Sequence, residues 1–511
     1  MKFIIYPFLL LIFTTVFSQA PSIEWEKSYG GSKFDLPSSI FQTADNGYVI
    51  AGNSRSDDGD LTLNHGNGDY WIVKISSNGQ LEWQKSLGGS RGDTAYSILQ
   101  TMDGGYMASG FTSSSDGDVT FNHGASDIWV VKLDSEGNIE WEKSYGGTSN
   151  ETGHNIIQTL EGGYIIAANT SSNDGDVSNN NGGVDYWIIK ISSTGLIEWE
   201  KNYGGSDNEW AYRILQLADG SYIVAGITTS NDGDVSFNHG GYDYWVVKLS
   251  SIGSIEWEKT FGGSLEDSLK SIDLTQDGGF ILGGHSKSLD GDVSINYGAR
   301  DFWILKLSGS GNIQWEKSFG GTLEDFVTNI EQAPNGDYII SGYTGSNDGH
   351  VSNNYGGFDY WLVKTNSSGS IIWTKCYGGS NWDLPADFTL TSDNSIALCG
   401  RSESIDGDVS ENKGGADYWI VKLESNILDI TEFDKHIILY PNPVSEILKI
   451  NSKFPVKRII IYNSLGQQVF LKTINDSQFQ INISSLPEGT YLAKIISKDI
   501  ADTQKFIIKR E

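Results

Sequence analysis

Apolar and polar residues alternate along most of this chain with the two-residue period of a β-strand, in short runs broken by turns. One stretch shows the unit. Residues 197–203 alternate and stop at Gly204-Gly205, which predicts a strand and a turn. Residues 211–216 predict a second short strand, with Ala218-Asp219-Gly220 as the hairpin turn after it. Residues 222–226 predict a third strand. A polar loop from Ser230 to Gly240 follows, and residues 243–249 predict a fourth strand. Ser250-Ser251-Ile252-Gly253 then turns the chain into the next unit. No segment keeps a helical period, so the expected fold class is all-β.

The unit recurs seven times between Ile23 and Glu424, at a period of 58 residues with no insertion or deletion. One tryptophan series runs Trp25, Trp83, Trp141, Trp199, Trp257, Trp315, Trp373; a second runs Trp71, Trp129, Trp187, Trp245, Trp303, Trp361, Trp419. Both series fall inside predicted strands, which makes them core rather than sugar platforms. Four antiparallel strands per copy in seven copies predict a seven-bladed β-propeller rather than a linear solenoid. Tyr244, Trp245, Val246 and Val247 place apolar side chains on both faces of a strand, as a blade packed on both sides requires. The copies are also out of phase with the chain ends. The last copy stops after its Asp417-Tyr418-Trp419 strand, and an extra strand stands at 23–29. The N-terminal strand is therefore expected to complete the last blade and close the ring, hiding two sheet edges. On these residues 19–425 resemble the bacterial seven-bladed propeller repeat proteins. That resemblance implies an architecture and leaves the activity open.

The ends and the charge refine this picture. Lys2, the apolar run from Phe3 to Phe17 and the Val16-Phe17-Ser18 site read as a signal peptide over 1–18, cleaved before Gln19. No other segment is long and apolar enough to span a bilayer. The formal charge of −30 disfavours nucleic acid and anionic membrane as partners. Two cysteines, Cys376 and Cys399, occupy ordinary strand positions and are expected as separate thiols.

From Ile437 the repeat is gone and the charge reverses: 437–511 carry +4, against −34 for the rest. A short polar linker, 426–436, joins the two. Alternating strands and tight turns predict a small antiparallel β-sandwich. Its motifs are Pro441-Asn442-Pro443, Gly466 after a Tyr-Asn-Ser-Leu run, Gly489-Thr490-Tyr491 and Lys509 near the end. In order and spacing they resemble the type A C-terminal sorting domain of the type IX secretion system of Bacteroidetes. The resemblance implies passage across the outer membrane, with the type IX machinery as partner and a cell-surface or extracellular location.

Candidate chemistry lies first in the loop between the third and fourth strands. Asp58, Asp60, Asn64 and Asp69 form an Asp-Gly-Asp frame that recurs as Asp116 and Asp118, Asp174 and Asp176, Asp232 and Asp234, Asp290 and Asp292, and Asp406 and Asp408. In the sixth copy His350 replaces the second aspartate. Hard oxygens at this spacing resemble part of a Ca²⁺ loop; the same residues also suit Asx turns, with the side chains bonding their own backbone. A further acid follows each Gly-Gly turn: Asp35, Asp93, Glu151, Glu209, Asp267, Asp325 and Asp383. Seven equivalent carboxylates do not supply the unequal pair that glycoside hydrolysis needs. His65, His123 and His239 share a position that other copies fill with Asn181, Tyr297, Tyr355 and Lys413, as an exposed loop allows. No nucleophile elbow, zinc-protease helix or phosphate loop is present. The residues that break the repeat are His154, Trp210, His285, Arg300, His350 and Trp382.

The expected function is a non-enzymatic binding or adhesion module, exported to the surface, whose loops meet a glycan or protein. The alternatives are a secreted propeller hydrolase or lyase acting on a polysaccharide, and a structural scaffold without a ligand. Near-identity of the copies speaks against an enzyme; a cluster of unique polar residues at one channel mouth would speak for one.

Overall fold

The computed structural model describes residues 19–425, 437–440, 443–463, 468–497 and 501–510. The segment read as a signal peptide and the 426–436 linker lie outside the described residues. The chain divides into two compact units, one up to Asn426 and one from Ile427.

In the first unit β1 spans Ile23–Tyr29, and the first complete blade follows as β2 (Asp35–Gln42), β3 (Tyr48–Ser54), β4 (Asp69–Ile75) and β5 (Leu81–Leu87). These four pair in sequence order as an antiparallel sheet, and five further four-stranded sheets repeat the arrangement. The seventh sheet contains Asp383–Leu390, Ile396–Ser402 and Asp417–Leu423, and β1 is its fourth strand. Lys27 of β1 faces Ile420 and Tyr29 faces Tyr418, so the ring closes by pairing the two ends of the repeat. In the illustrative copy the outer strand is Ile197–Tyr203 and the fourth is Asp243–Leu249, as the alternation predicts. The second and third run slightly longer, Glu209–Gln216 and Tyr222–Thr228.

The core lies between blades. Tyr70 and Ile72 of one blade pack with Ala95, Ile98, Trp129 and Val131 of the next. The Asp-Tyr-Trp motif explains this. Alternation sends Tyr70 to one face and Trp71 to the other, and Tyr70 meets the next blade's Trp129 at 4.7 Å between ring centroids. Its hydroxyl donates to the Trp129 carbonyl at 2.8 Å, so even the buried phenol is satisfied. Tyr418 repeats the contact on Trp71 at 4.5 Å, carrying the same core across the closure. All seven tryptophans of this series are fully buried. The Trp25 series is mostly half-buried on the outer strands; Trp25 itself lies edge-on to Tyr48 of the next blade. Trp245→Ala empties one such interface and is expected to cost about 3–5 kcal/mol, measured as a lower denaturant midpoint. Cys376 and Cys399 are buried and free, in separate clusters.

The second unit is one antiparallel sheet of five strands. Ile447–Tyr462 pairs with Gln468–Asn482 on one side, and with Ile437–Tyr440 and Gly489–Ser497 on the other. Its register breaks between Asn451 and Val456, and Val444 bridges to Ile508. Leu448, Ile459, Ile461, Ile481, Ala493 and Phe506 form the core of this unit.

Candidate ligand-binding site at the channel mouth

The first strand of every blade lines the central channel, and in each the pairing slips by one residue. In β2, Pro37 faces Gly52 while Ser39 faces Ala51, and all seven copies repeat the slip. Such a bulge leaves one residue outside the ladder and re-aims its side chain. The re-aimed residues are Ser38, Tyr96, His154, Tyr212, Lys270, Thr328 and Ala386, and all seven line one cavity of about 410 Å³. The backbone device is sevenfold; the residue placed on it differs in almost every copy.

The chemistry concentrates where the third to sixth blades meet. The Lys270 ammonium lies 4.5 Å from the Tyr212 ring centroid. Enclosure by protein, then the charge of Arg300, pushes its pKa down to about 8. His154 stacks on Tyr96 at 5.1 Å and meets Tyr212 edge-on at 5.4 Å. Desolvation, with the charges of Lys270 and Arg213, lowers its pKa to about 3, so it is neutral at physiological pH. His285, 6% exposed, is kept neutral by desolvation and by the charges of Lys270, Arg300 and Lys287, and its Nδ1 has no hydrogen-bond partner. Arg300 donates to Glu266 at 2.7 Å and to Glu324 at 3.1 Å, while its buried Nε is unpartnered. An aromatic run leads outward: Phe326 stacks on Tyr343 at 4.8 Å, Tyr343 meets Phe358 at 5.4 Å, and Phe358 meets Trp382 at 5.7 Å. Trp382 is 47% exposed at the rim. A smaller adjoining cavity of about 230 Å³ is lined by Trp210, Tyr242, Glu266, His285 and Arg300.

Five of the six repeat-breaking residues therefore belong to this region: His154, Trp210, His285, Arg300 and Trp382. Trp210 and Trp382 are also the two tryptophans outside both series. Tyr96, Tyr212, Lys270, Phe326 and Tyr343 escaped the sequence reading. Their signal was present, since the positions of Ser38 and Asn53, which hold Tyr96, Tyr212, Lys270 and Tyr343 in other copies, change at every 58-residue step, and that of Leu36, which holds Phe326, at almost every one.

A second ring of channel side chains, one residue further along each first strand, ties the blades together. Ser39 accepts from Ile98 N at 3.4 Å, Asn155 from Ile214 N at 3.0 Å, and Asp387 from Ile40 N at 3.3 Å. The acidic groups Asp273 and Glu331 lie near Asp387 of this ring, which has Arg213 at 3.6 Å. Desolvation, then the charges of Asp273 and Asp387, pushes Glu331 up to about 8. The channel is thus cationic and aromatic at one mouth and acidic further in.

His350 lies elsewhere, in the loop that holds the Asp-Gly-Asp frame. There Asp58 accepts from Ser32 N at 2.7 Å and Asp60 from Gly30 N at 3.0 Å. Asp116 and Asp118 do the same for Ser90 and Gly88, Asp174 and Asp176 for Thr148 and Gly146, and Asp232 and Asp234 for Ser206 and Gly204. Asp290 and Asp292 hold Ser264 and Gly262, and Asp406 and Asp408 hold Ser380 and Gly378. The donors come from the Gly-Gly turn 26 and 30 residues earlier. His350 does the missing aspartate's work: its Nδ1 accepts from Gly320 N at 3.3 Å. Asn64 closes the loop by donating to the carbonyls of Ser54 and Ser56, and Asp69 accepts from His65 N at 2.8 Å. Asp35 pins the same turn from the other side through Gly31 N at 2.8 Å. The turn needs its glycines: Gly59 has φ +68°, and a Cβ there would strike the Gly30 carbonyl. Among the described residues no group of three or more His, Cys, Asp and Glu side chains is arranged to hold a metal ion.

Of the sorting-motif residues, Pro441, Asn442 and Gly466 lie outside the described residues. Pro443 is exposed; Gly489, at φ +151°, opens the strand that carries Tyr491. Tyr491 stacks on Phe506 at 5.7 Å and donates to the Pro487 carbonyl at 2.9 Å, and Lys509 N donates to Val444 O at 3.0 Å. These roles are ones of folding within the domain.

Comparison with known proteins identifies the second unit. Residues 438–509 match the family described as the secretion system C-terminal sorting domain. The chain is accordingly a propeller-bearing protein exported by type IX secretion to the cell surface or extracellular space. Among the described residues no helix is long and apolar enough to cross a membrane. The regulatory protein FlaEY of Caulobacter vibrioides is 26% identical over 196 residues, which span 35% of this chain and 20% of that protein. PorZ, described as an essential bacterial surface component of the type IX secretion system of Porphyromonas gingivalis, is similar in structure. It aligns at a TM-score of 0.39 and 10% identity, over 94% of this chain and 60% of that one. A puromycin hydrolase aligns at a TM-score of 0.44 and 9% identity, over 82% and 59%.

Proposed function

We propose that this protein is a surface-displayed binding module whose ligand enters the mouth of the propeller channel. One observation carries the reading: five of the six residues that break the sevenfold repeat converge on that mouth, around seven equivalent bulge positions whose side chains differ from copy to copy. Drift on a surface would scatter them. Aromatic walls, a few convergent polar groups and an opening to solvent are the usual composition of a ligand site. The outer aromatics, Trp382 and Trp210, suit the faces of sugar rings, and a glycan is the ligand class that fits best. The sorting domain supplies delivery to the surface, through contact with the secretion machinery. Calcium is not needed for this reading, because the rim carboxylates already serve main-chain amides.

A cluster of unique polar residues at a channel mouth also favours an enzyme, and a polysaccharide lyase is the second reading. The specific observation behind it is the Lys270 amine beside neutral His154. Hydrolysis by paired carboxylates fits less well, since Glu266 and Glu324 both serve as counter-ions to Arg300, and its pairing with Lys287 and Arg300 holds Glu266 below its usual range. Whole cells and the purified mature chain, probed on a glycan array, test the binding reading. Binding is expected to fall at least about tenfold in a Trp210→Ala/Trp382→Ala double variant. Unchanged binding in that variant would move the site away from the mouth, and new ultraviolet absorbance from unsaturated products would establish the lyase. Deleting 437–511 is expected to leave the protein inside the outer membrane, read by surface protease accessibility.

A further inference from the structure

We infer that the mouth takes an acidic sugar, with the ligand's anionic group acting as the counter-ion of Lys270. This rests on the channel-mouth reading above and adds the ligand's chemistry. Among the described residues the Lys270 ammonium pairs with no carboxylate; its one close partner is the face of Tyr212. The fourth-strand lysines of all seven blades, Lys74 to Lys422 at the 58-residue step, are by contrast paired with carboxylates. Lys74, for example, reaches Asp45 at 2.9 Å and Glu82 at 2.8 Å, and Lys306 reaches Asp277 at 3.0 Å. A part-buried cation without a partner is costly, and a chain of net charge −30 had acids to spare. Its isolation is therefore a property of the site.

The surroundings complete an anion seat. The His285 Nδ1 and the Arg300 Nε are both buried and unpartnered, and both residues line the Lys270 cavity. Arg300's own charge is already met by Glu266 and Glu324, so the net charge of the seat comes from Lys270. His154 and His285 are neutral and do not compete for the anion. Phe326, stacked on Tyr343 at 4.8 Å and covered by Arg300 at 5.1 Å, gives the seat an aromatic border. A cavity of about 410 Å³ has room for roughly one or two sugar residues, within the range of ordinary ligand sites. The acidic loops lie at the same end of the blades, so an extended polyanion is repelled while a short or terminal acidic residue enters. The shared chemistry is an anionic group on a sugar ring; a carboxylate or a sulfate ester supplies it.

Titration calorimetry on the mature chain tests this with three probes of equal length: trigalacturonate, a sulfated galactotriose and neutral maltotriose. Binding of trigalacturonate, the sulfated sugar or both, at least about tenfold tighter than maltotriose, is the expected result. Lys270→Met is expected to remove that preference, and Lys270→Arg to keep most of it. A thermal midpoint for Lys270→Met at or above the parent's shows that the variant is folded. An acidic-sugar preference that survives in Lys270→Met overturns the seat. Tighter binding of maltotriose than of either acidic probe overturns the ligand class and leaves the mouth as a site for neutral glycans. No binding of any probe overturns the acidic-sugar class, while the array result with the Trp210/Trp382 variant judges the mouth itself.

Discussion

Removing residues 19–31 is expected to abolish a soluble, cooperatively unfolding propeller. The segment contains β1, which is the outer strand of the seventh blade and not of its own neighbour in sequence. Its loss strips Tyr418–Leu423 of its outer partner and opens an unpaired, largely apolar sheet edge. It also removes side-chain ties to three blades. Glu26 accepts from Trp419 Nε1 at 2.9 Å, the Tyr29 hydroxyl donates to the Gly79 carbonyl, and Pro21 O accepts from Tyr377 at 2.8 Å. Those groups are part of the core at the closure, so the loss is comparable with the whole net stability of a domain, on the order of 5–15 kcal/mol. Size-exclusion chromatography and calorimetry of the truncated chain read the outcome. A soluble monomer with the parent's unfolding midpoint would mean that the ring does not depend on this strand.

Stability is expected to fall as pH rises from about 5 to 8, the reverse of an ordinary acid-sensitive protein. Each blade junction buries an aspartate before the Tyr-Trp pair beside the acid that follows Gly-Gly. Desolvation first, and then the neighbouring acid Asp325 or Asp383, raises Asp301 and Asp359 to about 7. Asp185, Asp267, Asp325 and Asp417 rise to about 6, again mainly through burial. Glu331 in the channel rises to about 8. A folded-state pKa above the unfolded value means that the native state binds more protons between the two, so stability is full below the unfolded value and is lost as pH climbs through the folded one. Asp45 and Asp277, lowered to about 2 by hydrogen bonds from Thr43 and Thr275 and by Lys74 and Lys306, act oppositely below about pH 4, and the desolvated His154 and His285 oppose the slope up to about pH 6.5 but are outnumbered by the raised carboxyls. The thermal midpoint is thus expected near its maximum around pH 5 and lower by roughly 5 °C or more at pH 8. Glu331→Gln should flatten the upper part of that slope. A midpoint that rises from pH 5 to 8 contradicts the assignment. Millimolar calcium that restores the pH 8 midpoint to its pH 5 value would place cations between these carboxylates and establish the calcium alternative.

Much of the fold was legible because the repeat is strict. The 58-residue step, the two tryptophan series and the out-of-phase ends predict seven four-stranded blades and the closure by 23–29. Each of these rests on local rules: alternation sets which face a residue takes, and glycine sets where the chain turns. The Asp-Gly-Asp loop was read only in part. Its residues are conspicuous in the chain, but their partners, the amides of Ser32 and Gly30 and their equivalents, come from the turn that precedes the blade, and spacing within the loop does not reveal them. His350 shows the difference well. In sequence it breaks the frame; in space it accepts the same Gly320 N–H that an aspartate would. The channel site was legible only as a set of exceptions. His154, Trp210, His285, Arg300 and Trp382 are scattered over some 230 residues, and nothing local says that they meet.

The sequence by itself thus determined the blades, their number, the closing strand and the sorting domain, since each follows from periodicity or from a contiguous motif. Only the tertiary structure decided the site. The bulge in every first strand turns one side chain out of the ladder and into the channel, and ring closure brings seven such side chains, far apart in the chain, to one mouth. There the enclosure that leaves Lys270 without a counter-ion is a property of packed neighbours, which no single stretch of the sequence contains.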